Sequence, residues 1–123
     1  MEQIDRLTVH VVVDNTTDML SSRPKHVASE LRVLMDAGMT ELAGEALCSA
    51  YHGLCLAVTA HREGQDRTVL FDAGPDPYAL DQNGRHMHLD FGRIEAQVLS
   101  HGHFDHSEGM KEISNSNRTQ DSV

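Results

Sequence analysis

Tryptophan is absent from this 123-residue chain and aromatic residues make up only 4% of it, so any core must be built from aliphatic side chains. Cations are scarce as well. Ten Lys and Arg stand against 19 Asp and Glu, a formal net charge of −9 at pH 7. Nonspecific binding to nucleic acid or to an anionic membrane needs positive surface, so this balance argues against both. The two cysteines, Cys48 and Cys55, are too few for a disulfide framework and form no CxxC pair. Two reduced thiols in a cytoplasmic protein are the expectation. No apolar run approaches membrane-spanning length, and Met1 to Arg6 lacks the basic-then-apolar profile of a signal peptide.

What is present suffices for one domain. Apolar residues are 39% of the chain, enough at this length for a modest core. Leu7, Val9, Val11 and Val13 alternate along a predicted first strand. Val27, Leu31, Leu34 and Met35 recur at helical spacing between about Arg23 and Met39, with Pro24 near the start and Gly38 near the end. A second short helix is expected from Glu41 to Ala50. Residues 54–60 and 67–71 read as strands joined by a hairpin connection over 61–66. A helical turn is expected from Pro77 to Gln82, ended by Asn83-Gly84. The apolar run Ala96-Gln97-Val98-Leu99 reads as a buried fourth strand.

That fourth strand runs into the densest chemistry of the chain. His101, His103, Asp105 and His106 fall within six positions. Neutral imidazole and carboxylate are good ligands for zinc and similar cations, and few other functions explain such a density. In an extended segment His101, His103 and Asp105 share one side. Gly102 removes a side chain between two of the ligands. Asp105 and His106 are adjacent and must point apart unless the chain turns, so a strand-to-helix corner is expected, with Asp105 or Ser107 capping the next turn. Two neighbouring ions satisfy this spacing more easily than one.

The run His101-Gly102-His103-Phe104-Asp105-His106 resembles the HxHxDH signature of the metallo-β-lactamase superfamily. Thr68 to Pro75 resembles the strand and Asp-Gly turn that precede this signature. Thr8 to Asn15 is similar to the first strand of the subgroup related to dihydropterin ribofuranosyl-aminobenzene phosphate synthases. The resemblance implies an α+β fold, the N-terminal half of an αββα sandwich over residues 1–112, with a mixed sheet and flanking helices. It implies that His101 and His103 bind a first metal and that Asp105 and His106 bind a second, with zinc expected and Mn2+ or Fe2+ as alternatives. A hydroxide shared by the ions would be the nucleophile, and Asp105 would orient it or accept its proton. Asp72 would support the metal loop through hydrogen bonds, although an ordinary Asp-Gly turn explains it equally well. The implied function is hydrolysis of an ester, lactone or phosphoester-type bond in a small-molecule substrate.

The family's second half supplies another histidine to each metal and a bridging carboxylate, and nothing after His106 matches those parts. The only later acids are Glu108, Glu112 and Asp121. A truncated half, a site completed by another chain, and an inactive remnant acting as a metal-binding or interaction module are all compatible with this pattern. Half a sandwich also leads us to expect self-association through exposed sheet edges. Residues 113–123 are nearly all small or polar and are expected to be a disordered tail. His86-Met87-His88 repeats the HxH spacing without a framing strand and reads as an exposed loop. His10, His26, His52 and His61 are expected to be structural, and Met35 and Met39 to lie in the core.

Overall fold

A computed structural model describes residues 2–111 and residue 113. The chain forms an α+β fold around one mixed sheet, an arrangement consistent with part of a metallo-β-lactamase fold. Its strands are β1 (Arg6–Val13), β2 (Cys55–Arg62), β3 (Gln65–Phe71) and β4 (Ile94–Val98), in the spatial order β1-β2-β3-β4. β1 pairs with β2 and β2 with β3 antiparallel, whereas β4 joins β3 in parallel. A parallel neighbour requires a crossover, and the helix α2 (Pro77–His86) provides it. The helix α1 (Glu30–Asp36) lies between β1 and β2 in sequence, and the short α3 (Phe104–Ser107) follows β4.

Local chemistry explains most of these elements. The β2–β3 turn is only Glu63-Gly64, both at positive φ (51° and 77°). Two left-handed residues match the twist of a two-residue hairpin. Asp76 caps α2 by accepting from the Ala79 amide at 2.8 Å, and Pro77 takes the first helical position. Ser29 caps α1 through the Arg32 amide at 3.0 Å.

Several expectations from the sequence require correction. The helix predicted from Arg23 begins only at Glu30, because Ser29 provides the cap and the preceding residues lie outside the helix. Val27 is exposed there, and Met35, expected in the core, faces solvent. The second helix shrinks to a 3-10 turn at Gly44–Ala46. Asn83-Gly84 does not end α2. The Asn83 amide nitrogen donates instead to the carbonyls of Val12 and Ser49 (2.8 and 2.9 Å), and its oxygen accepts from the Ser49 amide. These bonds satisfy a fully buried side chain, and Gly84 lets the Phe91 ring lie against the helix backbone. His86 ends α2 with its Nδ1 2.9 Å from the Leu47 carbonyl and Met87 packs on the core, so the HxH repeat there is not a free loop. β4 is an edge strand with Val98 and Leu99 exposed, not the buried strand its apolar run suggested. Among the described residues its one sheet neighbour is β3, which leaves its other edge open.

The core lies on one face of the sheet. Val13, Cys55, Ala57 and Leu70 meet Ala79 and Leu80 of α2, together with Ala73 and Ile113. Each large aliphatic side chain buried here contributes on the order of 1.5–3 kcal/mol. Ile113, the first residue of the expected tail, is buried in this core; residues 114–123 lie outside the described residues. The other face presents Leu7, Val9 and Val11, each at least half exposed, beside Leu56, Val58, Val69 and Phe71. No helix among the described residues is long and apolar enough to cross a membrane.

Candidate metal centre

The histidine cluster sits where β3 and β4 end. Phe71 and Val98 are the last paired residues of the parallel ladder, and one further backbone bond, from the Asp72 amide to the Val98 carbonyl (2.8 Å), holds the strand ends together. The segment after β3 then grips α3. The Ala73 amide donates to the His106 carbonyl at 2.7 Å and the Gly109 amide to the Gly74 carbonyl at 3.3 Å. From the other side, the Leu54 amide donates to the Asp105 carbonyl at 3.3 Å. Three separate segments therefore fix the corner on which the ligands stand.

The corner predicted between Asp105 and His106 is the start of α3, but its cap differs from expectation. His103 occupies the N-cap without a side-chain bond, and the Ser107 hydroxyl donates to the His103 carbonyl at 3.0 Å. His101, His103 and Asp105 come together so that one ligand atom from each lies within 4.8 Å of the others. Both histidines are exposed and Asp105 is half-buried. The His101 ring centroid is 4.6 Å from that of His103 and 4.3 Å from that of His106. The His106 Nε2 lies 3.5 Å from Asp105 Oδ2, so Asp105 stands between the two groups that the signature would divide between two ions.

Asp72 organises the rings from behind. It is 2% exposed and adopts a left-handed backbone (φ 57°), a conformation aspartate tolerates better than most residues. Its carboxylate accepts from the Ser100 amide, the Ser100 hydroxyl and His106 Nδ1, each at 2.7 Å. Burial alone would push this carboxyl up. The bonds from Ser100 and His106 outweigh it and hold the group below its ordinary range. The same bonds fix two tautomers. A carboxylate only accepts, so His106 Nδ1 carries the proton and its Nε2 keeps a lone pair. The single Ser100 proton is spent on Asp72, so the Ser100 oxygen, 2.8 Å from His101 Nδ1, must accept from that nitrogen. His101 Nε2 is thereby left as a ligand atom as well.

One residue read as structural belongs to this corner. His52 places its Nε2 3.5 Å from Asp105 Oδ2 and stacks its ring on Phe104 at 6.4 Å. Its only signal in the sequence is the adjoining Gly53, whose missing Cβ permits the close approach of the Asp105 carbonyl. His10, His26, His61 and the His86/His88 pair do not join the cluster.

The donor set suits a divalent cation of the zinc class. Two imidazoles and a carboxylate reach the three protein ligands typical of a catalytic site, with hydrogen bonds behind the rings as such sites need.

The comparison with known families supports the same region. The family model described as beta-lactamase superfamily domain matches residues 67–123, a stretch that takes in most of β3, Asp72, α2, β4 and the whole histidine cluster. The match covers less than half of the chain, and what it shows is the likeness of this stretch to that superfamily. No curated protein matches the chain.

Proposed function

We propose that this chain carries the ligand corner of a metal-dependent hydrolase of the metallo-β-lactamase type, acting on an ester, lactone or phosphoester-type bond of a small molecule. The observation that carries the proposal is the convergence of His101, His103 and Asp105 on one point beside His106. His101 and His103 would hold a first ion, Asp105 and His106 a second, with zinc the favoured metal and Mn2+ or Fe2+ alternatives. When bound, such a cation supplies Lewis acidity and lowers the pKa of coordinated water.

The protein's own contribution is orientation and proton handling. Asp72 presents the lone pairs of His101 and His106 outward. Asp105 Oδ2, with His52 Nε2 3.5 Å away, would accept a proton and pass it to His52. Nearest kinship to the dihydropterin-linked synthase subgroup belongs to the same proposal and rests on Thr8 to Asn15.

Elemental analysis of the purified chain should find about one to two transition-metal ions per molecule, by the ligand count above. The metal-dependent part of the hydrolysis, the part abolished by EDTA, should be detectable with an ester, lactone or phosphodiester panel and should disappear in His103→Ala. Metal content near zero in the wild type, unchanged in His101→Ala, would overturn the reading.

The open sheet face supports a compatible second role. Leu7, Val9 and Val11 on edge strand β1 are exposed beside uncharged neighbours on β2. Two copies can therefore meet there without opposing like charges, despite the net charge of each chain. Self-association is the role we assign to this surface.

A further inference from the structure

At the far end of the strands from the histidine cluster lies a second constellation. The Thr8 hydroxyl is 2.7 Å from His61 Nε2, and His61 Nδ1 is 2.6 Å from Asp66 Oδ1. The strand register builds it. Arg6, His61 and Asp66 form one row across β1, β2 and β3, and Thr8, Thr59 and Thr68 form the next row on the same face. Thr59 and Thr68 share a hydrogen bond of 2.8 Å. The assembly faces an open groove of about 580 Å³ whose walls include the apolar side chains of Ala28, Val33 and Leu89.

From this geometry we propose that Thr8, His61 and Asp66 form a nucleophile–base–orienter triad that takes the acyl group of short acyl esters, independently of the metal centre. The tautomer follows from the partners. The Asp66 carboxylate accepts from His61 Nδ1–H, so Nε2 is the acceptor for the Thr8 proton, the arrangement that makes an alcohol nucleophilic. His61 has a side-chain exposure of only 19%, which holds the ring between its partners, and Asp66 is half exposed.

In the reaction Thr8 Oγ1 attacks the ester carbonyl carbon while its proton passes to His61 Nε2. The carbon–alkoxy bond then breaks and the departing alcohol takes that proton, leaving the acyl group on Thr8. Water, deprotonated by the same nitrogen, cleaves the acyl-threonine to the free acid and restores the hydroxyl. Thr59, paired directly opposite Thr8 in the ladder, offers a hydroxyl donor to the oxyanion that develops. The acyl chain lies against Ala28, Val33 and Leu89.

The test uses the full chain, p-nitrophenyl acetate and excess EDTA. Intact-mass and peptide mapping should find one acetyl group on Thr8, with a burst of nitrophenolate matching the protein concentration. Thr8→Ser should retain both signals. Thr8→Val, which suits a strand, should lose both. His61→Gln should slow acylation by about 100-fold or more, the usual worth of a general base. Asp66→Asn, a change at a positioning residue, should shift the pH profile of acylation as well as its rate. Circular dichroism checks that each variant is folded. Acetylation only at lysine, at another histidine or at the N-terminus overturns the proposal, as does a Thr8→Val protein that turns over at the wild-type rate. EDTA separates this result from failure of the metal-dependent reading.

Discussion

Asp72 and His106 are 34 positions apart in sequence, yet their side chains meet at 2.7 Å, with the carboxylate fully enclosed behind the ring. This contact ties the end of β3 to the first turn of α3 and sets which nitrogen of His106 faces outward.

Asp72→Asn should weaken metal binding by about 10–100-fold, the usual cost of removing a supporting partner behind a ligand. Competition against a chromophoric chelator measures this. An affinity equal to wild type would show that the ring orientation does not depend on Asp72.

The lowered Asp72 carboxyl also predicts an acid limb of stability. A group that ionises more easily when folded stabilises the fold above the ordinary carboxylate range, about pH 4, and loses that contribution as pH falls through its lower folded value. Denaturant midpoints measured between neutral pH and pH 3 should fall less steeply in Asp72→Asn than in the metal-free wild type.

Burial raises both thiols, Cys48 to about 11 and Cys55 further. Neither should react readily with a disulfide reagent in the folded protein at pH 8, and both should react at once in denaturant. The sign at alkaline pH follows. The unfolded chain releases these protons first, so stability should decline as pH rises above about 8.5, the ordinary thiol value.

Gly109 lies against the Ala73 carbonyl, and Gly53 lies against that of Asp105. A methyl group at either position strikes backbone rather than a movable side chain. Gly109→Ala and Gly53→Ala should each cost about 1–3 kcal/mol, read as a lower denaturation midpoint. Gly102→Ala, with open space around the position, should cost much less.

Self-association is tested by Val9→Lys. The residue is half exposed on the open sheet face, so the change should leave the fold intact and shift the sedimentation profile of the chain toward monomer. Identical profiles for variant and wild type would remove the role assigned to that surface.

Strands are legible in this sequence where an apolar or alternating run is bounded by turn residues. β1, β2 and β3 appear within two residues of their expected positions, and Glu63-Gly64 makes the hairpin between them. Helix boundaries were less legible. Asn83-Gly84 looks like a stop signal, but buried partners on Val12 and Ser49 compensate the polar side chain and carry α2 onward. The apolar run in β4 looked buried because hydrophobicity does not report how many neighbours a strand has. His52 and His61 looked alike as isolated histidines, and folding gave them different surroundings.

The sequence by itself determined the ligand types and their crowding, since His101, His103, Asp105 and His106 are neighbours along the chain and no folding is needed to bring them near. It also determined the acidic surface and the aliphatic core. Tertiary structure alone decided which nitrogens present lone pairs, because that choice depends on Asp72 arriving from the segment that follows β3. It alone decided that Thr8, His61 and Asp66 meet, because Thr8 comes within 2.7 Å of His61, 53 positions away, only once the strand register is set.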